Sequence, residues 1–113
     1  MSDQLFSGTK VLITQADAFM GPALCETFAE QGADVVPSTA VPTDRSTVDR
    51  LVREAGSIDV LVANLSIEAP STPLTEADDA EWTAVFDALV RPLPGLFQAV
   101  LPPMVELVSG KIL

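Results

Sequence analysis

The chain has no histidine and one cysteine, and its basic residues are few, at 6 against 16 acidic ones. Without histidine it lacks the commonest general base and the commonest zinc ligand, and no other cluster of metal-ligating residues is visible. The lone Cys25 excludes an internal disulfide, and its apolar helical surroundings predict a buried, inert thiol. The net charge of −10 opposes binding to nucleic acid or to anionic membranes, because both require basic patches.

Signals for export or membrane insertion are also missing. The first residues, Met1 to Phe6, have no basic start and no long apolar core, which argues against a secretory signal. No run reaches the roughly 20 apolar residues of a membrane span. With 48% hydrophobic residues in 113 positions, the composition predicts one small globular domain, and we expect a cytoplasmic protein.

Apolar runs and stop residues predict alternating strands and helices. We expect strands at about 10–14, 33–36 and 58–64. We expect helices at about 20–31, from 43 or 44 to 56, and from 75 onward, the last one interrupted by Pro92 and Pro94 and closed by Gly110. Such alternation with short connections favours right-handed parallel βαβ units. Residues 111–113 look like the start of another buried strand, so we expect residues 1–113 to be the N-terminal half of a single domain, truncated after its first half.

The turn between the first strand and the first helix, residues 14–21, lies where a nucleotide site is expected. Dinucleotide-binding turns carry glycines there so that the backbone can approach the pyrophosphate. Gln15 and Phe19 occupy the first two glycine positions of the pattern Thr-Gly-x-x-x-Gly-x-Gly, and only Gly21, which lets helix and strand pack closely, remains. A bulky phenylalanine would fill the space of the phosphates. The turn therefore predicts a former cofactor site closed by side chains.

With these residues the chain resembles the short-chain dehydrogenase/reductase superfamily over essentially its whole length. Residues 58–66 are similar to its strand ending in Asn-Asn-Ala-Gly, with Asn64 as the second asparagine. Residues 86–90 are placed like its Asp-Val-Asn-Leu helix segment, with Leu89 in place of the asparagine. The resemblance implies an α/β fold with a Rossmann-like doubly wound parallel sheet.

Further absences agree with a lost cofactor site. No acidic residue follows the second strand, where one would bind the ribose, and no basic residue that could replace it appears at 37–42. The connection after that strand is also short, as if a helix and most of a strand were deleted. We therefore expect no cofactor, and neither NADH nor NADPH should bind.

Within the superfamily the turn is similar to that of halohydrin dehalogenases, whose pattern Thr14, Phe19 and Gly21 match. That resemblance implies a cofactor-independent lyase that converts vicinal halohydrins into epoxides plus halide and opens epoxides with small anions. The family's catalytic Ser, Tyr and Arg would lie beyond residue 113, so no catalytic residue is assigned here. Residues 82–104 resemble the superfamily's helix used in tetramer assembly, which implies a homo-oligomer, most simply a tetramer. The missing C-terminal half of the domain would be a further partner of these residues.

Four residues are candidates for a substrate or halide pocket, and each also has a structural interpretation. Phe19 would line the pocket or act as a hydrophobic plug on the first helix. Thr14 would cap the turn, Gly21 would allow close packing, and Asn64 would tie neighbouring strand ends together. The helical spacing of Trp82 favours packing in the core or at an interface.

Two other functions stay open on the residues alone. One is a short-chain dehydrogenase/reductase with a degenerate NAD(P) motif that still binds the nucleotide. The other is a non-catalytic relative kept as a scaffold. A nucleotide titration distinguishes the first of these, and an activity assay distinguishes the second.

Overall fold

The computed structural model describes residues 4–113. The strands are β1 (Lys10–Ile13), β2 (Asp34–Pro37), β3 (Val60–Val62) and β4 (Lys111–Ile112). The helices are α1 (Gly21–Glu30), α2 (Arg45–Ala55), α3 (Asp79–Leu89) and α4 (Pro92–Leu107), with a 3-10 turn at Leu74–Glu76. These elements follow the predicted alternation closely, and the largest shift is at the start of α3.

The four strands form one parallel sheet in the order β2-β1-β3-β4. At the carboxyl end of β1, Ile13 pairs with Pro37 of β2 on one side and with Val62 of β3 on the other. The chain thus moves outward in one direction from β1 to β2 and in the other direction through β3 and β4. This confirms the α/β class and the doubly wound parallel sheet.

β2 is an edge strand in the part of the chain that the structure describes. The usual strand order of such folds places a further strand outside it. Here residues 38–44 lead directly from β2 into α2, which returns to β3 on the far side of β1. The topology agrees with the expected loss of a helix and most of a strand after β2.

Helices cover both faces of the sheet. On one face, α2 and α4 pack against β1 and β3, and Leu12, Leu61 and Leu96 lie at the centre of that core. On the other face, α1 packs over Val11, Ile13 and their neighbours in β3. Cys25 belongs to this second layer and is half-buried rather than buried, and desolvation raises the pKa of its thiol.

The third helix begins four residues later than predicted, because a different cap satisfies its first turn. The Asp78 carboxylate accepts from the Glu81 amide at 2.9 Å, and the Glu81 carboxylate accepts from the Asp78 amide at 3.2 Å. This reciprocal arrangement is a capping box, and the preceding residues form the separate 3-10 turn. The break at Pro92 is confirmed, and α4 starts there with proline in its first turn.

Of the two positions expected for Trp82, the structure excludes the core. Trp82 is exposed over 46% of its surface and α3 buries none of its residues, so packing at an interface is the expectation that stays a prediction. The stretch Asp79–Leu107 is also long and apolar enough to cross a membrane by length and composition. Part of that apolarity serves the core, since Leu96, Val100 and Met104 of α4 are buried against the sheet and α2.

Candidate functional site

The candidate site is the crevice at the carboxyl ends of β1 and β3. Ligands of open α/β sheets bind outside the carboxyl ends of the strands, at the point where the strand order reverses. In this sheet the reversal lies between β1 and β3. The turn 14–21 and the loop that begins at Asn64 therefore form the two sides of the crevice.

Thr14 and Asn64 fasten these two sides together. The Thr14 hydroxyl donates to the Asn64 carbonyl at 2.7 Å, and Thr14 is fully buried. The Asn64 side-chain amide donates to the carbonyls of Gln15 and Ala18, each at 3.0 Å. This geometry supports the structural interpretation of both residues, while a contact of either one with substrate stays a prediction.

Gln15 is the residue whose role the sequence did not reveal. Its carboxamide oxygen accepts from the Ser66 amide at 2.9 Å, and its carboxamide nitrogen donates to the Ser66 carbonyl at 3.1 Å. Only 7% of Gln15 is exposed. The side chain therefore spans the crevice from the end of β1 to the loop after β3. The sequence marked this position only as a missing glycine, because nothing in it pairs residue 15 with residue 66.

Phe19 is 76% exposed, so it is not a plug in the hydrophobic core. The side chain buried across the crevice is that of Gln15, and a role of Phe19 in lining the pocket stays a prediction. Both residues nevertheless have the left-handed backbone conformation, with φ of 41° at Gln15 and 52° at Phe19. The turn thus keeps glycine-type geometry at both substituted positions, at a cost of roughly 1–2 kcal/mol for each residue.

Gly21 retains its glycine for a steric reason. A Cβ atom at this position would lie 2.4 Å from the Ala16 carbonyl oxygen and 2.5 Å from its carbon. Relieving this overlap would require the backbone itself to shift. Gly21 is buried where the first turn of α1 meets the end of the β1 turn. The predicted close packing of helix and strand is present here, and a direct contact with ligand stays a prediction.

A basic residue does reach the end of β2, although none occurs at 37–42. Arg50 of α2 lines a cavity of about 260 Å³ together with Ser38 and Thr39, which follow β2 directly. Glu54 lines the same cavity. In related sheets an arginine near the end of the second strand accommodates the 2′-phosphate of NADP. The sequence did not point to Arg50, because a basic residue was expected directly after β2, at 37–42. The shortened connection instead brings Arg50 of α2 to that place.

The crevice as it stands does not fit a nicotinamide dinucleotide. The Gln15 side chain crosses the path between the strand ends, and the two glycine positions that admit the pyrophosphate carry side chains. No acidic residue follows β2 to bind the ribose. The guanidinium of Arg50 in the cavity after β2 is a feature that suits the nucleotide, although Glu54 lies in the same cavity. No cluster of metal-ligating residues occurs among residues 4–113.

Comparison with known proteins agrees with this architecture. The family model described as short chain dehydrogenase matches residues 38–113. A cis-4-hydroxycyclohexanecarboxylate dehydrogenase of Sinomonas cyclohexanicum is 31% identical over 111 positions, covering 74% of this chain and 45% of the relative. A 3-oxoacyl-acyl-carrier-protein reductase of Vibrio harveyi is 25% identical over 131 positions, covering 94% of this chain and 53% of the relative. The chain spans about half the length of these curated relatives.

Solved structures share the fold. A putative short-chain dehydrogenase/reductase from Burkholderia xenovorans superposes with a TM-score of 0.82 at 25% identity, over 98% of this chain and 56% of that one. Serine dehydrogenase from Escherichia coli superposes with a TM-score of 0.78 at 24% identity, over 92% of this chain and 60% of that one.

The comparisons differ in the part of the chain that they cover. The family model matches only from residue 38 onward, so the altered turn 14–21 lies outside the match. The alignment with the Vibrio enzyme is 131 positions long and exceeds the 113 residues of the chain, so that relative carries residues absent here. These relatives are dehydrogenases and reductases by name, and they do not support the halohydrin dehalogenase branch. The chain belongs to the short-chain dehydrogenase family.

Proposed function

We propose that the whole protein is an enzyme of the short-chain dehydrogenase/reductase class that acts at a hydroxyl- or carbonyl-bearing carbon of a small molecule. The observation that carries this proposal is the crevice between the ends of β1 and β3, held by Thr14 and Asn64 in a chain of this family. The names of both curated relatives support the substrate class, since one oxidises a hydroxy acid and the other reduces an oxoacyl group.

In this proposal, residues 1–113 supply the scaffold of the site and the remainder of the domain supplies its acid–base chemistry. The chain contains neither tyrosine nor histidine, so a proton-transferring group of either kind comes from outside these residues. The buried hydrogen bonds of Thr14 and Asn64 fix the two strand ends, and a fixed edge lets a substrate be held in one orientation.

Two chemistries suit such an enzyme, and different observations favour each. The relatives favour oxidoreduction with a degenerate nicotinamide site, to which the cavity at Arg50 would contribute. The filled turn favours the cofactor-independent alternative, a halohydrin dehalogenase-like lyase, because Gln15 occupies the dinucleotide crevice. In that alternative Phe19, Thr14, Gly21 and Asn64 would lie around the substrate or halide. The family evidence gives the oxidoreductase the stronger support.

Two assays on the whole protein distinguish the chemistries. One follows nucleotide absorbance with NAD+ or NADP+ and a panel of cyclic and hydroxyacyl secondary alcohols. The other follows bromide release from a vicinal bromohydrin without nucleotide. Nucleotide-dependent turnover supports the oxidoreductase, and nucleotide-independent bromide release supports the lyase. Failure of both with folded protein would contradict the proposed enzyme and leave the scaffold relative. A homo-oligomer and a cytoplasmic location remain our proposals for the whole protein.

A further inference from the structure

We propose that Gln15 is the specificity-determining residue of the crevice, and that its side chain competes with nicotinamide dinucleotides for the space between β1 and β3. The inference rests on the double hydrogen bond between the Gln15 carboxamide and the backbone of Ser66. It holds for either chemistry proposed above, because it concerns what enters the crevice rather than what reacts there.

The contact between Gln15 and Ser66 consists of two hydrogen bonds made by a largely buried side chain. Both polar ends of the carboxamide are satisfied, one by the Ser66 amide and one by the Ser66 carbonyl, at 2.9 and 3.1 Å. The residue is 7% exposed, and the backbone carbonyl of Gln15 is itself bonded to Asn64. A ligand entering between the strand ends must displace this side chain and replace both of its hydrogen bonds.

Phe19 and the shortened connection after β2 are the other two differences from a dinucleotide site, and they obstruct the crevice less than Gln15 does. Phe19 is 76% exposed, so its ring is not packed between the strand ends. After β2 a cavity lined in part by Ser38, Thr39 and Arg50 offers a cation and two hydroxyls to an anionic nucleotide end, although the Glu54 carboxylate also lines it. The side chain of Gln15 is therefore the main obstacle to the nucleotide.

The φ of 41° at Gln15 makes glycine a suitable replacement at this position. Glycine adopts the left-handed conformation without steric cost, so Gln15→Gly removes the side chain while keeping the shape of the turn. The matched control is Gln31→Gly at the C-cap of α1, which removes the same side chain at the far end of that helix.

The experiment titrates NADH and NADPH into the whole protein and follows nucleotide fluorescence, with circular dichroism as the check on folding. We expect Gln15→Gly to bind at least one nucleotide at least tenfold more tightly than the wild type, or to bind where the wild type shows no binding. Gln31→Gly should match the wild type. A folded Gln15→Gly protein that binds no more tightly than the wild type would overturn the proposal.

Two further measurements keep the proposal testable if Gln15→Gly does not fold. Gln15→Asn is one methylene shorter and cannot reach Ser66, and it should change affinity in the same direction. In the wild-type protein, the Ser66 amide should exchange with deuterium at least tenfold more slowly than the exposed Ile67 amide; rapid exchange at Ser66 would contradict the closed crevice. Because these measurements read binding and protection, they stay informative if the proposed turnover is absent.

Discussion

At the scale of single residues, the turn after β1 keeps its shape although two of its three glycine positions have changed. Gln15 and Phe19 both retain positive φ, which strains their backbone. At Gln15 the two bonds to Ser66 offset that strain, whereas the exposed Phe19 has no such compensation in the described chain. The geometry of the β1–α1 unit therefore persists at both positions without glycine, and the close approach of Gly21 to the Ala16 backbone gives it a packing role.

Gly21 is where that packing is tightest, and alanine there should destabilise the fold. We expect Gly21→Ala to lower the free energy of unfolding by about 1–3 kcal/mol, because its methyl group would overlap the Ala16 backbone. Gly95→Ala is the control, since the nearest atoms to its Cβ belong to the flexible Arg45 side chain, the closest at 3.2 Å. Urea unfolding measures both, and equal effects of the two substitutions would contradict the steric explanation.

Phe19→Ala should leave stability almost unchanged. The side chain is 76% exposed, so its removal should alter the free energy of unfolding by less than about 0.5 kcal/mol. A buried phenylalanine would cost roughly 3–5 kcal/mol. Thermal unfolding decides between the two, and a loss of several kcal/mol would show that Phe19 packs in the core after all. If Phe19 contacts a halide in the whole enzyme, the same variant should weaken bromide inhibition at unchanged stability.

At the scale of elements, the sequence predicted what depends on local patterns. Periodicity and stop residues placed the strands and α1, and Asp44 and Pro92 marked the starts of α2 and α4. The start of α3 was missed because two capping sequences compete there, at Thr75 and at Asp78. The partners of Gln15 and the position of Arg50 could not be predicted, since they join residues distant in the chain whose contact depends on the folded sheet.

The cap of α2 makes one contribution to stability depend on pH. Hydrogen bonds from Thr47, first from its side chain and then from its backbone amide, hold the pKa of Asp44 below its ordinary value. A depressed pKa in the folded state stabilises the protein above the unfolded value of about 3.9, and the effect is lost as pH falls through the folded pKa. Acidification should therefore weaken the N-terminal cap of α2.

Asp44→Asn tests this dependence, because asparagine caps a helix about as well and does not titrate. Between pH 7 and pH 3, urea midpoints of the wild type should fall further than those of Asp44→Asn. Asp49→Asn, on the exposed face of the same helix, should behave like the wild type. If the wild type and Asp44→Asn lost the same stability on acidification, the cap would not be the titrating contact.

At the scale of the whole molecule, the net charge and the exposed apolar residues have opposite effects on self-association. A net charge of −10 favours solubility and mutual repulsion of copies. Yet α3 packs on α4 without burying any of its own residues, and it exposes the aromatic pair Trp82 and Phe86, whose ring centres are 6.4 Å apart. Apolar faces of this kind mark contact surfaces, so the expected homo-oligomer would use α3.

We therefore predict that the whole protein self-associates through this face. Trp82→Glu combined with Phe86→Glu should shift sedimentation at micromolar concentration to a smaller species, because two carboxylates cannot be buried unpaired at an interface. Thr83→Glu with Ala84→Glu is the control, since both residues are exposed on α3 and the added charge is the same. A monomeric wild type would refute self-association, and an oligomer that withstands Trp82→Glu with Phe86→Glu would place the contact elsewhere. Because the change in charge is matched, a selective loss of assembly would identify the aromatic surface, rather than repulsion between acidic copies, as the cause.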